Sequence, residues 1–339
     1  MNRVKIGIVG LNFGKYIIEQ LLTGTAKDYF ELAAVCDIDT NKAMETAEKF
    51  AVKAYFDLDE LLLNPDIPAI GLFTSPVGRA ELIRKIIYSG KDVMTTKPFE
   101  VDPDKALEVL KEADRMGKAV HLNSPSPLLP PDLVQIRKWV KEYDLGRPIA
   151  CRCDSWTSYR ENMDGSWYDD PNKCPVAPIF RLGIYLINDL VRLFGKAEKV
   201  QVMQSRIFTN RPTSDNAQLG IQFENGLIAN IYGSFCINDG QYYRNSMILN
   251  YENGTIYRDI GLIKLGEANG LKMSVIKHDL MDTHTIKHGR SGDYQWDVFY
   301  RTINGERPDS MITPEEVVEG VKIIKAMNKA QKSGCMEFV

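Results

Sequence analysis

The 339-residue sequence predicts an α/β domain built on a doubly wound parallel sheet, followed by an α+β domain with a large, open, mostly antiparallel sheet. Three observations predict it. From Val4 to Leu122 short apolar runs alternate with helical periodicities in the order βαβαβαβαβ, the rhythm of a parallel sheet covered by helices on both faces. Ser124-Pro-Ser-Pro-Leu-Leu-Pro-Pro131 then breaks the rhythm with four prolines in eight residues, which remove backbone donors and favour extended conformations. Beyond it the apolar runs become long and alternating, as in antiparallel sheets.

In the first part the expected strands are Lys5–Val9, Glu31–Cys36, Ala69–Phe73, Asp92–Thr95 and Ala119–Leu122. The expected helices are Gly14–Leu22, Asn41–Phe50, Arg79–Ser89 and Pro103–Met116. The domain junction falls at the proline-rich segment, giving domains 1–123 and 124–339, with the last helices free to pack back on the first domain. A helix over Asp132–Glu142 precedes strands expected at Ile149–Trp156, Val200–Phe208, Gln218–Phe223, Leu227–Phe235, Ser246–Asn250 and Thr255–Asp259. Asn225-Gly226 and Asn253-Gly254 are hairpin turn signals because both residues tolerate positive φ. Helices are expected at Phe180–Phe194, Tyr294–Asn304 and Pro314–Gln331.

The length exceeds what one hydrophobic core usually serves, and a net charge of −3 without a basic block gives no footprint for nucleic acid. The N-terminal apolar run is too short for a signal-peptide core or a membrane span, so a cytoplasmic protein with no membrane partner is expected. Six cysteines form no C-x-x-C pair and four histidines do not stand at metal-ligand spacing beside them; reduced thiols and no metal are expected.

Four motifs carry chemistry. Gly7-Ile-Val-Gly10-Leu-Asn12-Phe13-Gly14 lies where a strand turns into a helix, so backbone amides approach a pyrophosphate there, as in Rossmann domains. It departs from G-x-G-x-x-G, with Asn12 in the middle place and Gly14 one position early. Asp37, at the end of the next strand, suits a pair of ribose hydroxyls and repels a 2′-phosphate. NAD is therefore favoured, with NADP left open by Asp39 and Lys42. Lys97, followed by Pro98, emerges at the C-terminal tip of a parallel strand, where such sheets place ligands; an ordinary surface lysine is the competing reading. Finally, a proline-rich loop from Trp167 runs into a helix carrying Arg181, Tyr185 and Asn188 at i, i+4 and i+7. On a regular helix these share one face, too polar for ordinary core.

These motifs together resemble the Gfo/Idh/MocA oxidoreductases nearly end to end. Gly10 to Gly14 matches the family's Rossmann signature, and Asp37 its acidic ribose ligand. Thr74-Ser75-Pro76-Val-Gly-Arg79 corresponds to its Thr-Pro-Asn-x-x-His, and Thr96-Lys97-Pro98 to its Glu-Lys-Pro. Trp167 to Asn188 corresponds to W-x-x-D-P leading into D-x-G-x-H-x-x-D, with Arg181, Tyr185 and Asn188 replacing Asp, His and Asp. Phe299 to Pro308 resembles the last helix and turn. Gly183-Ile-Tyr185-Leu-Ile-Asn188 is similar to the branch that includes glucose-fructose oxidoreductase and dihydrodiol dehydrogenases.

The resemblance implies an NAD(P)-dependent dehydrogenase acting on a hydroxyl-bearing carbon of a sugar, polyol or sugar acid. Gly10, Asn12, Phe13, Gly14, Asp37, Thr74, Ser75, Pro76 and Lys97 would contact the cofactor. Tyr185 would be acid/base and Lys97 its catalytic partner, often on a cis lysine–proline bond in the family. An ordinary phenol, with pKa near ~10, is a weak base at neutral pH, so convergence with an ammonium would help. Trp167, Arg181 and Asn188 would bind substrate. Arg181 suits an anionic substrate such as a uronate or aldonate, or it pairs with Asp170 or Asp189. Two other readings stay open: a catalytically silent cofactor-binding sensor, and NAD-assisted glycoside cleavage. A homodimer or homotetramer through the C-terminal sheet is expected, with Ile228, Ile231 and Phe235 either lining that face or in the core.

Overall fold

A computed structural model describes residues 2–239, 242–259, 263–264 and 270–339. The chain divides into two compact units, Met1–Leu128 with Tyr294–Pro314, and Leu129–Asp293 with Glu315–Val339.

The first unit is a six-stranded parallel sheet, β1 (Val4–Val9), β2 (Phe30–Cys36), β3 (Lys53–Tyr55), β4 (Ala69–Leu72), β5 (Asp92–Thr95) and β6 (Val120–Leu122), in the order 3-2-1-4-5-6. Helices α1 (Leu11–Thr23), α2 (Thr40–Phe50), α3 (Leu58–Leu62), α4 (Arg79–Tyr88) and α5 (Pro103–Arg115) connect the strands. β4 and β5 are buried at every residue, as expected for strands with helices on both faces. The strand order reverses between β1 and β4, and in such sheets ligands lie at the carboxyl ends beside that point. β3 and α3, of three and five residues, are too short for a periodic pattern to mark them in the sequence.

A later segment completes this unit. Trp296 and Phe299 on α8 (Trp296–Ile303) join the core around Phe30, whose ring stacks on Phe299 at 5.4 Å. Its buried aromatic face thus belongs to the core of the first unit.

The second unit is a mixed sheet with α6 (Pro131–Glu142) and α7 (Ile184–Phe194). Its strands are β7 (Pro148–Trp156), β8 (Ala197–Ser205), β9 (Asn216–Phe223), β10 (Ile228–Ser234), β11 (Tyr242–Tyr251) and β12 (Gly254–Asp259). They are followed by β13 (Ile263–Lys264), β14 (Leu271–Lys277) and β15 (Leu280–Ile286). After α9 (Pro314–Ser333), the short β16 (Glu337–Phe338) pairs with β8. The order is 15-14-12-11-7-10-9-8-16, and β7 and β10 run parallel in the middle of an otherwise antiparallel sheet. Sequence alternation does not distinguish parallel from antiparallel neighbours, so that pairing had no signature.

Asn225-Gly226 joins β9 to β10, and Asn253 precedes Gly254 at the turn from β11 to β12. The β14–β15 hairpin was not anticipated, although Leu271, Met273 and Val275 alternate inward. On β10 and just beyond it, Ile231 and Phe235 are buried and Ile228 is exposed, which places the first two in the core. Cys151 and Cys153 are both buried on β7, and burial pushes the Cys151 thiol up to about 12.

Candidate functional site

The residues expected to face a dinucleotide come together in the first unit, at the carboxyl ends of β1, β2, β4 and β5. Gly10 takes φ +86 before α1, and a Cβ there would stand 2.8 Å from the backbone carbon of Phe73. Only glycine fits both the conformation and the space. Gly10 at the N-cap supplies no side-chain cap to α1 and its first turn holds no acidic residue, which suits the positive end of the helix to an anion. Asn12 and Phe13 are exposed there, while Gly14 is buried and its Cβ would come 2.9 Å from Ile8.

The Asp37 carboxylate accepts from the amides of Leu11 at 2.8 Å and Asp39 at 3.0 Å and is half-exposed. It is thus fixed beside the helix end, with lone pairs left for ribose hydroxyls. Lys42 Nζ donates to Asn12 Oδ1 at 2.8 Å and lies 3.7 Å from Asp39. A glycine-led helix end, a crowded glycine and a held carboxylate fit a nicotinamide dinucleotide.

Thr74 and Ser75 follow β4 half-exposed, with Pro76 buried beside them. Lys97 follows β5, with a cis bond to Pro98, and it is the one residue from Lys91 to Glu100 that is not buried. Asn123 Oδ1 accepts from the Lys97 amide and the Thr96 hydroxyl, each at 3.3 Å. Sequence reading missed Asn123, whose position just before the proline-rich segment was its only mark.

In the second unit, the approach to α7 is a π-helical turn over Ile179–Gly183. Such a turn carries one more residue than an α-helical one, so the single face expected from regular spacing does not extend from Arg181 to Tyr185 and Asn188. The three side chains have separate surroundings. Arg181 makes a bidentate pair with Glu161 at 2.6 and 2.8 Å and stacks on Tyr168 at 3.9 Å and Phe235 at 4.5 Å. Burial would raise the Glu161 carboxyl, but Arg181 and Arg211 hold it below its ordinary value.

Arg211 extends this network to Asp164 and Asp169 at 2.9 and 2.5 Å. Asp189 pairs instead with Arg258, and Asp170 receives the amide of Asn172. The guanidinium of Arg181 is thus enclosed by aromatic rings and its own carboxylate rather than presented to an anionic ligand. Glu161 and Arg211 were not anticipated, because each partner lies far along the chain.

Tyr185 is the one residue from Ile184 to Val191 that is not buried. Gly292, at φ +93, lies against its ring, so that a Cβ there would come 3.1 Å from Cε1. Asn188 is buried, with its side-chain oxygen against Gly320 of α9. Trp167 is half-buried beside Tyr168 at 4.2 Å and Phe180 at 6.1 Å.

A strand order of 3-2-1-4-5-6 with this glycine turn and carboxylate defines a dinucleotide-binding Rossmann unit. Residues 4–124 match the oxidoreductase family with an NAD-binding Rossmann fold, and residues 133–257 match the GFO/IDH/MocA C-terminal domain. The chain belongs to the Gfo/Idh/MocA family of NAD-binding oxidoreductases.

It is similar to an inositol 2-dehydrogenase/D-chiro-inositol 3-dehydrogenase of Lactiplantibacillus plantarum, 23% identical over 60% of this chain and 59% of that protein. It spans between half and three fifths of the length of the first curated relatives it matches. Two solved structures share the fold over the whole chain. One is the aldose-aldose oxidoreductase from Caulobacter crescentus complexed with glycerol, with TM-score 0.77, 16% identity and 100% of each chain covered. The other is GenD2 from gentamicin A biosynthesis in complex with NAD, with TM-score 0.78, 17% identity and 100% and 97% covered. Among the described residues no helix is long and apolar enough to cross a membrane.

Proposed function

We propose that this chain oxidises or reduces a hydroxyl-bearing carbon of a sugar or polyol, with NAD as the electron carrier. The observation that supports it most is Tyr185, a half-exposed phenol on a helix segment whose other side chains are buried. A position that exposes one proton-bearing group on a buried scaffold suits general acid–base work. Bound nicotinamide supplies the two-electron acceptor or donor for the carbinol carbon.

In this reading Tyr185 takes the hydroxyl proton during oxidation and returns it during reduction. The Lys97 ammonium stabilises the developing alkoxide. Gly10, Asn12, Phe13 and Gly14 hold the pyrophosphate, Asp37 the adenosine ribose, and Thr74, Ser75 and Pro76 border the dinucleotide. Trp167 is assigned to substrate contact, while Arg181 and Asn188 act behind it. Because Arg181 is committed to Glu161, neutral polyols and sugars are favoured over sugar acids. The polyol and aldose activities named for similar proteins point to the same class.

Half-exposed Trp156 and Tyr232, ring to ring at 6.4 Å on neighbouring strands, support assembly of two copies through the second-unit sheet. Light scattering of the purified chain tests this.

The activity test is incubation with NAD or NADP and a panel of myo-inositol, aldoses, linear polyols and sugar acids, followed by absorbance of the reduced cofactor, beside Tyr185→Phe. Reduction that is lost in the variant supports the reading. Tight cofactor binding with no turnover in either direction overturns it in favour of a silent sensor. Glycoside hydrolysis without net reduced cofactor overturns it in favour of NAD-assisted cleavage.

A further inference from the structure

Arg79 opens α4, an adverse place for a cation because the helix dipole is positive there. It is nevertheless almost wholly buried. Its surroundings account for it. Nη1 donates to the carbonyls of Thr96 at 2.6 Å and Phe99 at 3.3 Å and also to Pro98, while Nη2 donates to the carbonyl of Thr74. Carbonyls at the ends of parallel strands have left the ladder and need donors if buried. A planar guanidinium supplies several at once in a fixed fork.

Two of these carbonyls belong to Thr96 and Pro98, the residues on either side of Lys97, and the fourth belongs to the loop of Thr74, Ser75 and Pro76. The backbone from Thr96 to Phe99 is therefore wrapped around the Arg79 fork. Around it, Thr96, Pro98, Phe99 and Glu100 are buried and only Lys97 is not. Glu100 reinforces the arrangement by accepting the Ala80 amide at 2.9 Å, which caps the helix that Arg79 begins.

We propose that Arg79 is a positioning residue for Lys97: its guanidinium ties the β5 loop to the β4 loop and so sets the direction in which the lysine leaves the backbone. The inference rests on the reading of Lys97 as a cofactor-side and catalytic group, and it names the element that orients that group. Arg79 itself has no direct role in the chemistry.

The test uses the full chain, with NADH as the probe, in a double-mutant cycle of Arg79→Gln and Lys97→Met. A residue acting through Lys97 loses its effect once Lys97 is gone. Arg79→Gln is expected to weaken NADH binding about tenfold in the natural chain and less than about threefold in the Lys97→Met chain. Equal factors in both backgrounds overturn the inference while leaving NADH binding, and with it the cofactor reading, intact.

A second readout is independent of Lys97's role: the 13C-methyl signal of reductively dimethylated Lys97, identified by its loss in Lys97→Met. It is expected to shift or broaden in the Arg79 variant, and an unchanged signal overturns the inference. If Lys97→Met alone leaves NADH affinity and turnover unchanged, the functional reading of Lys97 fails, and this signal still decides whether Arg79 positions it. Arg79→Lys, which keeps the charge but not the fork, provides a second variant if Arg79→Gln does not fold. It is expected to move the signal in the same way.

Discussion

The side-chain oxygen of Asn188 lies directly on Gly320, so that a Cβ at position 320 would overlap it. A glycine within the twenty-residue helix α9 costs about 1 kcal/mol relative to alanine, and this contact is what the missing Cβ permits. At an exposed site Gly→Ala would stabilise the helix. Here Gly320→Ala is expected to destabilise by about 1–3 kcal/mol, and Asn188→Ala in the same chain is expected to recover most of the loss. Urea unfolding of the two single variants and the double variant checks it; a stabilised Gly320→Ala would show that Asn188 is not held there.

A second prediction concerns the buried ions beneath the sheet. Arg258 Nη1 bridges Asp132 at 3.0 Å and Asp189 at 2.6 Å, and Nη2 donates to Asn245 at 2.7 Å. All four residues are buried. Burial pushes the Asp189 carboxyl up, while Arg258 opposes the shift. Arg258→Met leaves two carboxylates without their cation and is expected to cost about 3–5 kcal/mol. Replacing both aspartates with asparagine in that variant is expected to restore part of it. Three of the four tryptophans, Trp139, Trp156 and Trp167, lie in this unit, so their fluorescence reports its unfolding.

The contrast between Asp37 and Arg181 shows what was legible in the sequence. Asp37 was recognisable because its role depends on local order: a strand ends, a glycine turn begins, and the carboxylate follows at the tip of the next strand. In the fold its carboxylate accepts from the Leu11 amide at the start of α1. Arg181 was placed on a face by assuming regular helical spacing. The π-turn over Ile179–Gly183 is a tertiary outcome without a sequence mark, and Glu161 lies twenty residues away. Arg79 was hidden for a related reason: an arginine at a helix start reads as a solvated charge until the loops that supply its carbonyls are folded. Parallel pairing of β7 with β10 depends on long-range order, whereas the strands themselves were evident from alternation.

A third prediction follows from His121, buried against the Phe299 ring at 5.3 Å. Burial, with a smaller contribution from Arg307, lowers its pKa from 6.5 to about 3. The unfolded chain therefore binds a proton near pH 6.5 that the folded chain refuses until about pH 3. Stability from this group is complete above pH 6.5 and falls as the pH drops through that window, by up to about 1.4 kcal/mol per unit. Neither ring nitrogen has a hydrogen-bond partner, so His121→Leu is expected to be near neutral at pH 7. At pH 5 it is expected to gain about 2 kcal/mol relative to the natural chain. Unfolding of both chains at the two pH values gives the difference directly; a constant difference would mean that His121 is protonated within the fold.

The last prediction concerns the strip behind Tyr185. The Ser291 amide donates to Asp132 Oδ1 at 3.0 Å and its hydroxyl bonds Asp189 Oδ1, so the adjoining Gly292 is anchored to the buried ions. Gly292 sits at φ +93, with room for a Cβ only if the Tyr185 ring gives way. Gly292→Ala is therefore expected to cost about 1–2 kcal/mol in backbone strain and to displace the phenol. On the proposed acid–base role of Tyr185, displacement by a fraction of an ångström lowers turnover more than it lowers substrate affinity. The expected result is a kcat reduced about tenfold or more with KM changed less than about threefold. Added to Tyr185→Phe, the same substitution is expected to produce little further loss, because the group it misplaces is already gone. If the losses instead multiply, Gly292 affects catalysis by a route other than Tyr185, and the tyrosine is not seated by the strip that the buried ions hold.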